Sequence, residues 1–190
     1  LARNTAVTVP ADGALYLALV DFGSKATRHV RLMMPGPYFG GIRVGPSDVV
    51  SRPAAGTRLR TMFLGDSIVE GPAGQNARAS FAVLAAERLK EAWVSGVGAT
   101  GYLAAPASKR TLRQRLATDV VAHAPQVLVV SAGINDLAFG DGEIQAEATA
   151  LFDALQAALP DTLVFVTGPM ATLNRVRGGV NAAIKAAVGT

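Results

Sequence analysis

Apolar residues follow two different rhythms along this chain, and the change of rhythm divides it. Up to residue 50, short alternating runs such as 14–20 and 29–33 are punctuated by Asp12-Gly13, Pro35-Gly36-Pro37 and Gly40-Gly41, the pattern of short strands and tight turns. Residues 1–50 therefore read as a small β-rich segment, too short to hold a core of its own without disulfides. The Pro- and Gly-containing stretch 51–58 reads as a linker. From residue 59 to 190 continuous apolar runs alternate with stretches of helical period. Strands are predicted at 59–64, 92–97, 126–131 and 162–167, with helices near 78–91, 108–122, 143–158 and 174–188. Such alternation predicts an α/β domain in three layers, a parallel sheet between two layers of helices.

Three of the predicted strands end in residues suited to chemistry. The first runs into Gly65-Asp66-Ser67, where a serine at a strand-to-helix turn would expose its hydroxyl and its own N–H at the sheet edge. A turn closed by a helix N-cap accounts for the same residues without any chemistry. The second tip, Ser95 to Tyr102, is a loop of small residues with glycines at 96, 98 and 101. That spacing satisfies a dinucleotide-binding fingerprint, but Pro106 interrupts the helix that such a site needs, and Asp119 falls in a helix instead of at a strand end. A small-residue loop also lets a backbone N–H approach a substrate oxygen. The third tip is Gly133-Ile134-Asn135-Asp136, whose asparagine amide is a neutral donor for an oxyanion or, equally, the start of an Asx turn.

Composition narrows the choices. The chain has no cysteine, which removes disulfides, thiol catalysis and cysteine-based metal sites. Its two histidines, His29 and His123, lack metal-ligand spacing, so neither a metal nor any other cofactor is expected. The net charge of +4 is spread out except at Lys109, Arg110, Arg113 and Arg115, a cluster read as a solvated helix face with no nucleic-acid partner. No apolar run reaches the ~18 residues that would suggest a membrane span. No basic stretch followed by an apolar one opens the chain at Leu1, so a leader peptide is either absent or already removed.

Taken together, serine, glycine-rich loop and asparagine at successive strand tips resemble the SGNH (GDSL) hydrolase family. Gly65-Asp66-Ser67 is similar to that family's first block, residues 95–102 to its glycine block, and Gly133-Ile134-Asn135-Asp136 to its third. The β-rich front, with 38–44, looks like the extra domain that some bacterial members carry. The resemblance implies a flavodoxin-like α/β/α fold and a serine esterase acting on small or carbohydrate esters, acetyl esters among them. It implies that Ser67 is the nucleophile, with an oxyanion held by the Ser67 N–H, a backbone N–H at Gly98 or Ala99, and Asn135. An alanine at 99 keeps the N–H donor but narrows the allowed backbone angles, so activity is expected to survive only if its φ is negative. Tyr102, Leu103, Met170 and Leu173 would wall the pocket or belong to the core. The chain departs from the family in lacking any Asp-x-x-His. His123 precedes the third strand and is expected at the surface. The expectation is a piece without its base, nearly inert alone. A carbohydrate-binding module on a hydrolase-like fold is the alternative.

Overall fold

The computed structural model describes residues 14, 17, 19–28, 30, 41–51, 59–71, 80–89, 91–169 and 178–189. The chain divides into two compact units, Leu1–Ala54 and Ala55–Thr190. In the first, the described residues form turns and extended chain without a strand. Asp21 accepts the Gly23 N–H at 2.7 Å, and the Arg28 guanidinium lies 4.9 Å from the centroid of the Phe22 ring. Most of the expected strand at 29–33, and much of that at 14–20, lies outside the described residues.

The second unit is built on four parallel strands, β1 (Thr61–Gly65), β2 (Ala92–Gly96), β3 (Val127–Ser131) and β4 (Leu163–Thr167), in the order β2-β1-β3-β4. Each lies within two residues of its predicted position. Around them run α1 (Ser67–Glu70), α2 (Phe81–Leu89), α3 (Leu116–Asp119), α4 (Asp141–Ala158) and α5 (Gly178–Val188). Register aligns Gly65 with Gly96 and with Ser131, so the three strand tips end level with one another.

Alternate residues go to opposite faces. Met62, Leu64, Leu128 and Val130 join Leu112, Leu116, Ile144, Leu151, Leu155 and Ile184 in the larger core, beneath α3, α4 and α5. Phe63, Val94 and Val129 meet Val69 and α2 in the smaller one. Each fully buried aliphatic side chain contributes about 1.5–3 kcal/mol, and strands buried on both faces must read as unbroken apolar runs, as β1 and β3 do. At the edge, β4 keeps Leu163 and Phe165 58% and 57% exposed.

The expected continuous helix at 108–122 is not formed. Two 3₁₀ turns, Arg113–Arg115 and Val121–His123, flank the single turn of α3. Ala124 takes a left-handed φ of 44°, a conformation that ends a helical run.

Candidate active site

From β1 the chain crosses to β2 on one side, and from β3 to β4 on the other. Connections that diverge in this way leave a crevice outside the carboxyl ends of the two strands, here β1 and β3. Ser67 stands directly past β1 as the first residue of α1, and it is exposed. Asp66, with extended backbone, caps α1 by accepting the Ile68 N–H at 2.8 Å. Burial pushes the Asp66 carboxyl above the usual range, with the charge of Asp136 adding to the effect. Neither the hydroxyl nor the N–H of Ser67 has a hydrogen-bond partner among the described residues.

The loop after β2 closes on this turn. A Cβ at Gly96 would lie 2.1 Å from the Glu70 nitrogen, so only glycine lets α1 pack on the tip of β2. Gly98 is buried beside the serine, a Cβ there falling 3.6 Å from Ser67 Cβ. Its N–H donates to Glu70 Oε2 at 2.6 Å, and its carbonyl accepts from Lys109 Nζ at 2.6 Å. Ala99 follows with φ of 62°, against the negative angle expected for a side-chain-bearing residue. The left-handed conformation costs about 1–2 kcal/mol for an alanine. The Ala99 N–H has no acceptor among the described residues.

Asn135 lies in a 3₁₀ turn, Ile134–Asp136, just past β3. Its amide donates to the Thr100 carbonyl at 2.8 Å, which joins the third strand tip to the glycine loop. Next to it the buried Asp136 carboxylate gathers three backbone donors, Tyr102 N–H on Oδ2 at 2.9 Å, and Leu103 and Ala104 N–H on Oδ1 at 2.9 and 2.8 Å. A Cβ at Gly101 would meet that carboxylate at 2.2 Å. The nucleotide-binding alternative finds no support in this arrangement, since no helix opens at Gly101 and a carboxylate occupies the place where a phosphate would need donors.

The basic cluster divides in two, which corrects its reading as one solvated face. Arg113 is exposed and paired with Glu147, whose hydrogen bond raises its pKa further. Arg115 is 4% exposed. Its guanidinium donates to the Gly65 carbonyl, to the Ser95 carbonyl and hydroxyl at 3.1 and 2.7 Å, and to Asp119 at 3.3 Å. Burial pulls its pKa down while Asp119 opposes the shift. One side chain thus ties the last residue of β1 to the end of β2, immediately before Ser67 and the glycine loop.

His123 is exposed at the amino end of β3, its ring 5.7 Å from that of Trp93, at the opposite end of the sheet from Ser67. His29, Met170 and Leu173 lie outside the described residues. Tyr102 is buried in the larger core, and the half-buried Leu103 packs against it. A cavity of about 640 Å³ lined by Leu59, Leu89, Val127, Val129 and Phe165 opens on the α2 face toward the amino ends of the strands, away from Ser67. Glu70, Lys109, Arg115 and the acceptor role of Asp136 were not foreseen from the sequence. The nearest signal was Glu70 standing three residues after Ser67, one helical turn away.

An open parallel sheet between helices, with a serine, a glycine loop and an asparagine past three adjacent strand ends, has the three-layer α/β/α fold of SGNH hydrolases. The chain belongs to the GDSL-like lipase/acylhydrolase family, whose sequence profile matches residues 63–189. Among curated proteins no relative matches it. Solved structures with a similar fold include a family two carbohydrate esterase from Clostridium thermocellum in complex with cellohexaose, 21% identical over 71% of this chain and 50% of that one, with a TM-score of 0.51. A family two carbohydrate esterase with a carbohydrate-binding domain from Corynascus thermopiles is 19% identical over 73% of this chain and 55% of that one, with a TM-score of 0.54. A lipase/acylhydrolase from Enterococcus faecalis is 16% identical over 68% of this chain and 70% of that one, with a TM-score of 0.51. The chain spans about half the length of the two carbohydrate esterases.

Proposed function

We propose that the protein is a serine esterase that removes acetyl or other short acyl groups from carbohydrate. The observation that carries this reading is the exposed Ser67 at the switch point, its N–H without an acceptor among the described residues, with the Asn135 amide held on the adjoining loop. Ser67 Oγ would attack the ester carbonyl. The developing oxyanion would be shared by the Ser67 N–H, a glycine-loop N–H at Gly98 or Ala99, and Asn135 Nδ2, with the alcohol leaving to give an acyl-serine that water then hydrolyses. The carbohydrate part of the proposal draws on the family two carbohydrate esterases, which share the fold.

A serine hydroxyl is a weak nucleophile until a base takes its proton. His123 stands at the wrong end of the sheet and the chain has no Asp-x-x-His, so the reading assigns the base to none of these 190 residues. The 190 residues alone are then expected to turn over p-nitrophenyl acetate barely above background. The test supplies imidazole as an external base and measures acetate released from acetylated xylan, with mass spectrometry of the tryptic peptide 61–78 to locate the acetyl group. Acetylation centred on Ser67 and lost in Ser67→Ala is the expected result, and Asn135→Ala should slow it about 10²–10³-fold. Acetylation no faster at Ser67 than at other exposed nucleophiles would refute the esterase reading.

A further inference from the structure

We propose that Glu70 is a built-in competitor for the oxyanion position, a carboxylate that caps the Gly98 N–H in the resting protein and must be displaced by the reacting ester. The proposal rests on the esterase reading and adds a regulatory contact to the same site.

Three observations carry it. First, Gly98 lies against the nucleophile, a Cβ there falling 3.6 Å from Ser67 Cβ, and its N–H, one of the two loop donors named in the esterase reading, is already spent on Glu70 Oε2 at 2.6 Å. A carboxylate oxygen on a backbone N–H is an anion held by the kind of donor that an ester oxyanion requires. Second, Glu70 is exposed whereas Gly98 is buried. The carboxylate therefore has water to move into, and the donor has no other acceptor among the described residues. Third, the loop does not need Glu70 to keep its shape. Gly98 is held through its carbonyl by Lys109 Nζ, and residues 102–104 are held by Asp136. Removing Glu70 therefore frees a donor without releasing the loop.

A clamp and a competitor predict opposite signs. If Glu70 positioned the Gly98 peptide for catalysis, its loss would weaken binding of an oxyanion mimic. If it competes, its loss strengthens binding, because the mimic no longer displaces a charge-assisted hydrogen bond.

The test uses methylboronic acid, to which Ser67 Oγ adds through a new oxygen–boron bond while the hydroxyl proton passes to water, leaving an anionic tetrahedral boronate. The purified chain, Glu70→Ala, Glu70→Gln and Ser67→Ala are titrated and the Gly98 amide is followed by ¹H–¹⁵N NMR. The expected result is affinity about tenfold tighter in Glu70→Ala, equivalent to ~1.4 kcal/mol, with Glu70→Gln between it and the wild type. In the unliganded state the Gly98 amide proton should move upfield once the carboxylate is gone. Equal or weaker binding in Glu70→Ala, with a Ser67-dependent adduct still forming, would overturn the proposal and leave the esterase reading standing. No Ser67-dependent adduct in any variant would overturn both.

Discussion

Replacing Asp136 by asparagine changes one atom and should unfold the glycine loop's anchor. The carboxylate receives three N–H groups, two on Oδ1 and one on Oδ2, all at 2.8–2.9 Å. Asparagine can keep its oxygen toward Leu103 and Ala104, but its NH₂ then faces the Tyr102 N–H, donor against donor. The lost charge-assisted bond is worth about 1.5–3 kcal/mol and the stranded buried N–H about 1–3 kcal/mol, so a loss of about 3–5 kcal/mol is expected. With a urea m-value of about 2 kcal/mol/M, the unfolding midpoint should fall by about 2 M, followed through the fluorescence of Trp93, the single tryptophan. Gly101→Ala supplies a second arm, since its Cβ would meet the same carboxylate at 2.2 Å. In an Asp136→Ala background that clash is gone, so Gly101→Ala should cost far less there than in the wild type, a coupling that a double-mutant cycle reads directly. A loss under about 1 kcal/mol for Asp136→Asn, or additive costs in the cycle, would show that the carboxylate does not anchor the loop.

Three other outcomes follow from the same contacts. Arg115→Lys keeps the charge but loses the fork that spans Gly65 and Ser95, and should destabilise by about 3–5 kcal/mol; a thermal unfolding curve matching the wild type would refute this. Burial holds the Asp66 carboxyl above its usual range, so the folded chain binds that proton more tightly than the unfolded chain, and the resulting stability is whole at low pH and lost as pH rises through the raised pKa. Asp66→Asn retains an oxygen for the Ile68 cap, and the unfolding free energy of wild type minus variant should therefore fall from about pH 3 towards neutrality; a difference that rises with pH would contradict the assignment. Phe165→Lys changes a side chain that is 57% exposed on the edge strand and should shift the unfolding free energy by less than about 1 kcal/mol; a loss of several kcal/mol in urea unfolding would disprove this.

What the sequence showed and what it concealed differ in physical kind. The inner strands β1 and β3 were legible because a strand buried on both faces must be an unbroken apolar run, and the outer β2 and β4 because their short apolar runs alternate with stretches of helical period. The long α4 was legible because its buried Ile144, Ala148, Leu151 and Leu155 recur at helical spacing. Ser67 and Asn135 were legible as polar residues that end such runs. The ties between them were not. Arg115 reaches Gly65 across 50 residues and Glu70 reaches Gly98 across 28, and hydrophobic rhythm names the face a residue is on without naming its partner.

Part of the concealed geometry was nevertheless encoded in local phase. At about 100° per residue, positions 113 and 115 point some 200° apart, so a cluster holding both cannot be one solvated face. Arg115 stands between Leu112 and Leu116, both buried, and therefore on the apolar side of its turn. A cation on that side needs acceptors, and an aspartate four residues on supplies one of them. The others had to come from whatever the turn packs against, and at the carboxyl end of a parallel strand the last carbonyl has not yet met all its donors. A buried arginine beside strand tips is thus what the phase of the leucines required.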